Sequence, residues 1–213
     1  MQDNIGTSFS YKVAKLASAL FHPLIMPTYG FIFLTIFSSK LLFVRNILAD
    51  IELIFVFFVL SFIVPAFAIY AYCVGKKIEN LSLIEREDRK TPYMIVMFTS
   101  LALLYFFGGM IDKIFLLQML SVYLFCVIEA SIVNRFTKIS AHAMSCGAMT
   151  SFIFMINIYT NSKYIWLFIF SILISGLVCS SRLKLNMHNN FQIVLGYILG
   201  ICTTFAVFFT GLF

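Results

Sequence analysis

The sequence predicts an all-α protein whose helices form a polytopic bundle in a membrane. Three observations predict this class: 62% of the 213 residues are hydrophobic, only 11% are charged, and the apolar residues lie in long uninterrupted runs. A helix needs about 20 such residues to cross a bilayer. No stretch has the composition of a linker or of a water-soluble domain, so we expect a single integral-membrane domain over residues 1–213.

The N-terminal segment, residues 1–20, has the pattern of an amphipathic helix. Its apolar side chains recur at helical spacing, away from the two lysines of the segment: Ile5, Phe9, Val13, Leu16 and Leu20. A helix of this kind lies on the surface of a membrane. The segment lacks the small-residue cleavage site that would follow the apolar core of a signal peptide. The sequence therefore predicts an N-terminal interfacial helix.

Seven apolar segments follow, and we expect six to seven of them to span the membrane. They cover residues 24–38, 51–75, 93–109, 114–134, 141–159, 164–180 and 191–213. Pro65 lies inside the second segment, where its missing N–H should kink the helix. Side chains that cap helix N-termini predict three helix starts, at Thr91 before Pro92, at Ser140, and at Asn189 or Asn190.

The connections between segments distribute the positive charges unevenly. If residues 76–90 lie on one side of the membrane, the alternation of spans brings residues 134–140 and 182–190 to the same side, which we call the basic face. It carries Lys76, Lys77, Arg86, Arg89, Lys90, Arg135, Lys138, Arg182 and Lys184. Three of the predicted helix N-termini add partial positive charge there. Because these cations lie beside the membrane, a phosphate or an anionic lipid headgroup is the expected partner, and nucleic acid is not.

Two histidines lie among these cations. His142 falls in the first turn of the fifth segment, and His188 lies just before the seventh. One imidazole can attack phosphorus while the other protonates the leaving oxygen. A lone histidine near a membrane surface is usually structural, and a short basic loop needs no function. The pair beside Lys138, Ser140 and Arg182 instead favours phosphoryl transfer.

The remaining histidine and the cysteines do not suggest a site. His22 begins the first segment on the basic face and is predicted to be structural. The five cysteines are scattered through apolar segments without metal-ligand spacing: Cys73, Cys126, Cys146, Cys179 and Cys202. They are expected to be buried apolar side chains.

Three short motifs lie in the basic connections: Arg86-x2-Arg89-Lys90-Thr91-Pro92, Ser140-Ala141-His142 and Ser181-Arg182-x5-His188. Together they resemble the signatures of the type 2 phosphatidic acid phosphatases, membrane lipid phosphatases that share a helical core with vanadium haloperoxidases. The first motif is similar to the signature Lys-x6-Arg-Pro, the second resembles Pro-Ser-Gly-His, and the third matches the third signature. Order and approximate spacing agree over residues 86–192, the motif-bearing core.

The resemblance implies a role for each motif residue. His188 would be the nucleophile that forms a phosphohistidine, and His142 the acid that protonates the leaving alcohol. Gln192 stands where the family has the aspartate that orients the nucleophile. The phosphate would be bound by Arg86, Arg89, Lys90, Lys138, Ser140 and Arg182. This chemistry requires neither a metal nor another cofactor.

Several positions depart from the family pattern. A neutral Gln192 amide can accept a hydrogen bond from an imidazole, but it cannot stabilise an imidazolium as a carboxylate does. Ile139 and Ala141 replace the proline and glycine of the second signature, and Ser82 replaces the lysine of the first.

Glu129 is an ionisable residue inside the fourth segment and should therefore have a partner. It could supply the missing carboxylate to His188 or to an arginine of the site. Alternatively, it bonds only to Arg135 or Lys138 near the membrane surface.

The leading hypothesis is a phosphatase that removes the terminal phosphate of a membrane lipid. Phosphatidic acid, phosphatidylglycerol phosphate, a prenyl pyrophosphate and a phosphorylated glycolipid all fit, and the oligomeric state is open. The alternative is a catalytically silent relative that binds or moves anionic lipid, which Gln192 favours. A general ion transporter is disfavoured because most segments lack charged residues at depth.

The expected location is the cell (inner) membrane, which the chain crosses several times. The positive-inside rule places the basic face in the cytoplasm, whereas proteins of the family usually act on the outer side. Five cations of this face are assigned to the site: Arg86, Arg89, Lys90, Lys138 and Arg182. Without them the charge bias shrinks, so the active face is expected to be periplasmic or outer.

Overall fold

The computed structural model describes residues 9–37, 47–76, 87–108, 114–161 and 163–211. Within these ranges all regular elements are helical, and six helical stretches are long and apolar enough to cross a membrane. The helices are α1 (Phe9–Leu20), α2 (Met26–Phe37), α3 (Ile47–Phe58), α4 (Val64–Gly75), α5 (Lys90–Gly108), α6 (Ile114–Val133), α7 (Ala141–Tyr159), α8 (Ile165–Lys184) and α9 (Asn190–Thr210). The predicted all-α, polytopic membrane class is confirmed.

The first predicted apolar segment, residues 24–38, contains helix α2. Helix α2 has 12 residues and rises about 18 Å, well short of the roughly 30 Å hydrocarbon core of a bilayer. The candidate spans in the described residues are therefore six.

Pro65 follows an interruption of the regular α-helix, and the predicted kink at this residue stays a prediction. Helices α3 and α4 are joined without a break by a π-helical turn, Val59–Ile63, and Pro65 occupies the first turn of α4. A proline ring clashes with the carbonyl four residues earlier, here that of Ser61, and a widened turn accommodates it. The buried Ser61 hydroxyl lies 2.8 Å from the hydroxyl of Thr28 in α2.

Two of the three predicted helix starts are confirmed and one is wrong. Ser140 caps α7, because its Oγ accepts a hydrogen bond from the N–H of Ala143 at 3.3 Å. Asn189 caps α9, because its Oδ1 accepts from the N–H of Gln192 at 2.9 Å. Thr91 is not a cap, since a 3₁₀ turn at Glu87–Arg89 already leads into α5 at Lys90. Pro92 does lie in the first turn of α5, where its missing N–H costs nothing.

The chain divides into two compact units. Residues 1–23 and 137–206 form the first, which we call the histidine unit because it contains all three histidines. Residues 24–136 and 207–213 form the second, which we call the α2–α6 unit. The single domain expected over residues 1–213 stays a prediction.

In the histidine unit, α7 and α1 both pack against α8. Helices α7 and α9 approach so closely that glycines are required at the contact. A Cβ at Gly200 would lie 2.1 Å from the carbonyl oxygen of Met144, and one at Gly147 would lie 2.2 Å from that of Tyr197. Small residues allow this backbone contact between membrane helices, and it holds the N-termini of α7 and α9 side by side.

Helix α1 turns a face of small residues towards the protein. Ala14, Ala17 and Ser18 are buried, whereas Phe9 is 83% exposed and Leu16 is 59% exposed. This division of one buried and one exposed apolar face fits the predicted interfacial helix. Ile5 of the predicted pattern lies outside the described residues, and the position of α1 at a membrane surface stays a prediction.

The α2–α6 unit has an aromatic core. The rings of Phe31 and Phe57 stack with their centroids 4.5 Å apart. Phe107 packs its ring edgewise against both, and all three side chains are buried. Such aromatic contacts stabilise the packing of α2, α3 and α5 beyond the area they bury.

Candidate active site

The residues between Arg182 and His188 form the hydrogen-bonded C-terminus of α8. The N–H of Met187 donates to the carbonyl of Arg182 at 3.2 Å, and that of Asn186 donates to Leu183 at 2.9 Å. Asn186 has a φ of 52°, in the left-handed region. This pair of bonds is a Schellman motif, in which asparagine can take the left-handed position. It ends α8 at Lys184, two residues after Arg182, and leads the chain to His188.

A reciprocal pair of hydrogen bonds begins α9 immediately afterwards. Oδ1 of Asn189 accepts from the N–H of Gln192, while Oε1 of Gln192 accepts from the N–H of Asn189 at 3.3 Å. This is a capping box with glutamine at its third helical position. The same Oε1 lies 3.1 Å from Nδ1 of His188. Gln192 therefore both stabilises the start of α9 and contacts the predicted nucleophile.

His188 is held in one tautomer. Its Nδ1 lies 3.1 Å from Oε1 of Gln192 and 3.3 Å from the backbone carbonyl oxygen of Lys138. Both neighbours are acceptors, so Nδ1 carries the hydrogen and donates it. In the neutral ring Nε2 then has the lone pair. The side chain is only 9% exposed, so its orientation is set by the protein.

His142 is held through its other nitrogen. Its Nε2 lies 3.0 Å from the backbone carbonyl oxygen of Ser18 in α1, and this bond requires a hydrogen on Nε2. The ring of His22 packs edge to face against it, with centroids 5.3 Å apart and an interplanar angle of 84°. Arg182, His22 and His188 all lie close enough for their charges to act on His142.

Arg182 supplies a buried positive charge at the end of α8. Its side chain is only 8% exposed. Burial, and then the charge of Arg182, lowers the pKa of His22 from 6.5 to about 4. His22 is therefore uncharged at neutral pH, and the guanidinium provides the fixed cation that a phosphate would meet.

Lys138 and Ser140 contact their neighbours in the site through backbone atoms, which the motifs do not reveal. The observed contact of Lys138 with His188 is made by its backbone carbonyl, and the side chain is half-buried. Ser140 is fully buried, caps α7 with its hydroxyl, and donates its N–H to the carbonyl of Gln192 at 3.4 Å. Ser140 thus ties α7 to the first turn of α9. Phosphate binding by either side chain stays a prediction.

The other predicted site residues belong to the α2–α6 unit. Arg89 is buried, whereas Lys90 is exposed and forms an ion pair with the equally exposed Glu87. Glu129 is half-buried in α6. Arg86 lies outside the described residues. A role for any of these four in the site stays a prediction.

The structure thus brings together six of the predicted residues within the histidine unit: Lys138, Ser140, His142, Arg182, His188 and Gln192. Two groups that contact His142 were not predicted as part of the site: the carbonyl of Ser18 and the ring of His22. No local pattern could have revealed the first, because 124 residues separate Ser18 from His142. The only sequence feature that pointed to His22 was its position as the third histidine on the predicted basic face.

No metal-binding cluster accompanies these residues. In the described ranges there is no group of three or more His, Cys, Asp or Glu side chains that could hold a metal ion. The five cysteines, all within those ranges, are not joined by disulfide bonds. In comparisons with known proteins, no family model, curated protein or solved structure matches the chain.

Proposed function

We propose that the protein is a membrane phosphatase that removes the terminal phosphate of a lipid through a phosphohistidine on His188. The observation that carries the proposal is the tautomer of His188. Its Nδ1–H donates to Gln192 and to the carbonyl of Lys138, so Nε2 is the nucleophilic nitrogen. A nucleophile held in this way beside a buried arginine and a second histidine supports phosphoryl transfer.

The proposed reaction has two halves. In the first, Nε2 of His188 forms a bond to phosphorus, the phosphorus–oxygen bond to the lipid breaks, and protonated His142 gives its proton to the leaving oxygen. In the second, water attacks phosphorus, His142 takes the water proton, and the phosphorus–nitrogen bond breaks. The guanidinium of Arg182 holds the non-bridging oxygens in both halves.

A lipid is the proposed substrate because the site lies in a protein with six apolar candidate spans. An acyl or prenyl chain can stay in the bilayer while the headgroup enters the basic face. A terminal phosphate or a pyrophosphate would present the same oxygens to Arg182. The resemblance to type 2 phosphatidic acid phosphatases supports this substrate class.

The decisive experiment measures phosphate release by the purified protein. Phosphatidic acid, phosphatidylglycerol phosphate, a prenyl pyrophosphate and a phosphorylated glycolipid are offered in detergent micelles, with His188→Ala as the background. We expect release above background from at least one lipid, together with an acid-labile, alkali-stable phosphoenzyme that His188→Ala lacks. If the wild type matches the background on every lipid, the phosphatase proposal is wrong.

Catalytically silent binding of anionic lipid is the second candidate, and one observation favours it. Oε1 of Gln192 belongs to the capping box of α9 and brings no negative charge to His188. On this account the contacts of Gln192 with Asn189 and His188 serve only to stabilise the start of α9. In that case the protein should bind a short-chain lipid phosphate without turnover, and Arg182→Ala should weaken the binding while His188→Ala should not.

The proposed location is the inner membrane of the cell, with the active face on the periplasmic or outer side. Single cysteines introduced as Ile78→Cys and Thr160→Cys, in a chain whose five native cysteines are replaced by alanine, would report the orientation. An impermeant thiol reagent applied to intact cells should label position 78 and spare position 160. The reverse labelling would place the basic face in the cytoplasm.

A further inference from the structure

We infer that helix α1 and His22 position the acid His142, so that Nδ1 is the nitrogen that gives up and takes back the catalytic proton. This inference rests on the proposed phosphatase function. Neither α1 nor His22 belongs to the three motifs. Both would be positioning elements, since the observed contacts run through His142.

The hydrogen bond from His142 to α1 determines which of the two ring nitrogens can transfer a proton. The last carbonyls of a helix have no partner within the helix. Near the end of α1 the carbonyl of Ala17 accepts from the N–H of Phe21, and the next carbonyl, that of Ser18, accepts from Nε2 of His142. A helix C-terminus carries partial negative charge, so this bond strengthens when the imidazole is protonated. With Nε2 committed to Ser18, only Nδ1 remains for proton transfer.

Helix α1 also packs against the helix that carries Arg182. Ala14, Ala17 and Ser18 form the buried face of α1, and α1 packs against α8. Arg182 lies in the last turn of α8. The packing of α1 against α8 therefore sets the position of the Ser18 carbonyl relative to Arg182. The hydrogen bond to this carbonyl orients His142 relative to the same arginine.

The ring of His22 also contacts His142. Its edge-to-face contact fixes the plane of the His142 ring. The titratable and charged groups that face His142 are Arg182 from α8, His22 after α1, and His188 before α9. Because burial and Arg182 lower the pKa of His22 to about 4, His22 adds no competing positive charge at neutral pH. The hydrogen bond from Nε2 to the Ser18 carbonyl strengthens in the protonated form of His142, which is the form that the acid role requires.

The proton balance follows from these contacts. In the first half-reaction the Nδ1–H of the His142 imidazolium moves to the leaving oxygen of the lipid, and the Nε2–H stays on the Ser18 carbonyl. In the second half-reaction Nδ1 takes a proton from the water that attacks phosphorus. The ring keeps one orientation throughout, because the bond to Ser18 is made in both protonation states.

A comparison of two substrates separates positioning from a structural role. A lipid phosphate has an alcohol leaving group that needs the proton, whereas p-nitrophenyl phosphate hardly does. We expect His22→Ala to lower the lipid rate by about 10- to 100-fold and the aryl phosphate rate by less than about threefold. His22→Phe keeps a ring that can pack against His142, so it should recover most of the lipid rate.

A charge placed at position 22 gives an independent test. His22→Lys puts a permanent positive charge near His142, which should move the basic limb of kcat/KM for the lipid down by about one pH unit or more. Ala19→Lys is the matched control, because Ala19 lies on the exposed side of α1. The control adds the same charge to the same region and should leave the basic limb in place.

The outcomes distinguish the two proposals. If the wild type releases no more phosphate than His188→Ala, the phosphatase function and this inference fail together. If the wild type is active but His22→Ala slows both substrates equally, or His22→Lys and Ala19→Lys share one pH profile, the inference alone is overturned. Should His22→Ala fail to fold, as judged by size-exclusion chromatography in detergent, the lysine and phenylalanine variants decide.

Discussion

Replacement of Gln192 by glutamate adds a negative charge at the nucleophile with almost no change in shape. Oε1 of Gln192 lies 3.1 Å from Nδ1 of His188 and also accepts from the N–H of Asn189. A carboxylate of the same length can accept both bonds. It also suits the third position of a capping box at the positive end of α9.

The expected change in rate follows from the hydrogen bond between His188 and residue 192, whose acceptor becomes ionised in Gln192→Glu. A hydrogen bond to a neutral group contributes about 0.5–1.5 kcal/mol, and one to an ionised group contributes about 1.5–3 kcal/mol. The imidazole gains positive charge as Nε2 attacks phosphorus, so the difference of about 1–2 kcal/mol stabilises the transition state. We expect Gln192→Glu to raise the rate of lipid dephosphorylation by about 5- to 30-fold.

The measurement is phosphate release under single-turnover conditions, with His188→Ala as the background. Gln192→Asp adds the same charge on a side chain that is shorter by one carbon–carbon bond, so its gain should be smaller. Asn189→Ala is the matched control: it removes the cap at Oδ1 but keeps the contact between Gln192 and His188. It should cost about 1 kcal/mol of stability and little activity.

Two results would refute this reasoning. A folded Gln192→Glu protein that is no faster than the wild type would show that charge at this position does not assist His188. An Asn189→Ala protein that loses as much activity as Gln192→Ala would show that Gln192 acts only through the capping box. If Glu129 already supplies the charge, Glu129→Gln should instead be as harmful as His188→Ala.

Three further predictions concern the clamp, the packing and the pH dependence. Arg182→Lys should lower kcat/KM by about 10-fold or more despite the retained charge, because an ammonium cannot bind phosphate oxygens in a bidentate manner. Activity equal to the wild type in both Arg182→Lys and Arg182→Ala would show that Arg182 is not part of the site. Gly200→Ala should destabilise the protein by about 1–3 kcal/mol in detergent melting experiments, because its Cβ would meet the Met144 carbonyl, whereas Gly176→Ala, which has nothing within 4 Å of its Cβ, should not. Because the folded-state pKa of His22 is lowered from 6.5 to about 4, the stability linked to its neutral form is complete above pH 6.5 and is lost as the pH falls towards 4. The loss should be at most about 3 kcal/mol and should be missing from the melting curves of His22→Phe, and identical pH dependence in the two proteins would contradict the assignment.

The sequence predicted the fold class because the bilayer constrains it strongly. Backbone groups in hydrocarbon must bond within the chain, so apolar runs of spanning length become helices whatever their side chains pack against. Helix α2, at Met26–Phe37, lies within the first predicted apolar segment, residues 24–38. Hydropathy measures where a chain can enter a membrane, while helix ends depend on local hydrogen bonds.

The local features of the site were also predictable. The caps at Ser140 and Asn189 involve partners three residues away, and a pattern of side chains along the chain contains that information. The cap at Thr91 was wrong because a 3₁₀ turn extends the helical region to Glu87. Nothing in the identity of Thr91 and Pro92 reveals such an extension.

Which atoms contact the two motif histidines depends on how the helices pack. The residue pattern predicted that His142 and His188 accompany Arg182 near the ends of membrane helices. It could not show that the Lys138 carbonyl, the Ser18 carbonyl and the His22 ring hold the imidazoles. Every residue carries the same backbone carbonyl, so its use as an acceptor leaves no trace in the side-chain pattern. The packing of α1 on α8 and of α7 on α9 brings those carbonyls to the histidines.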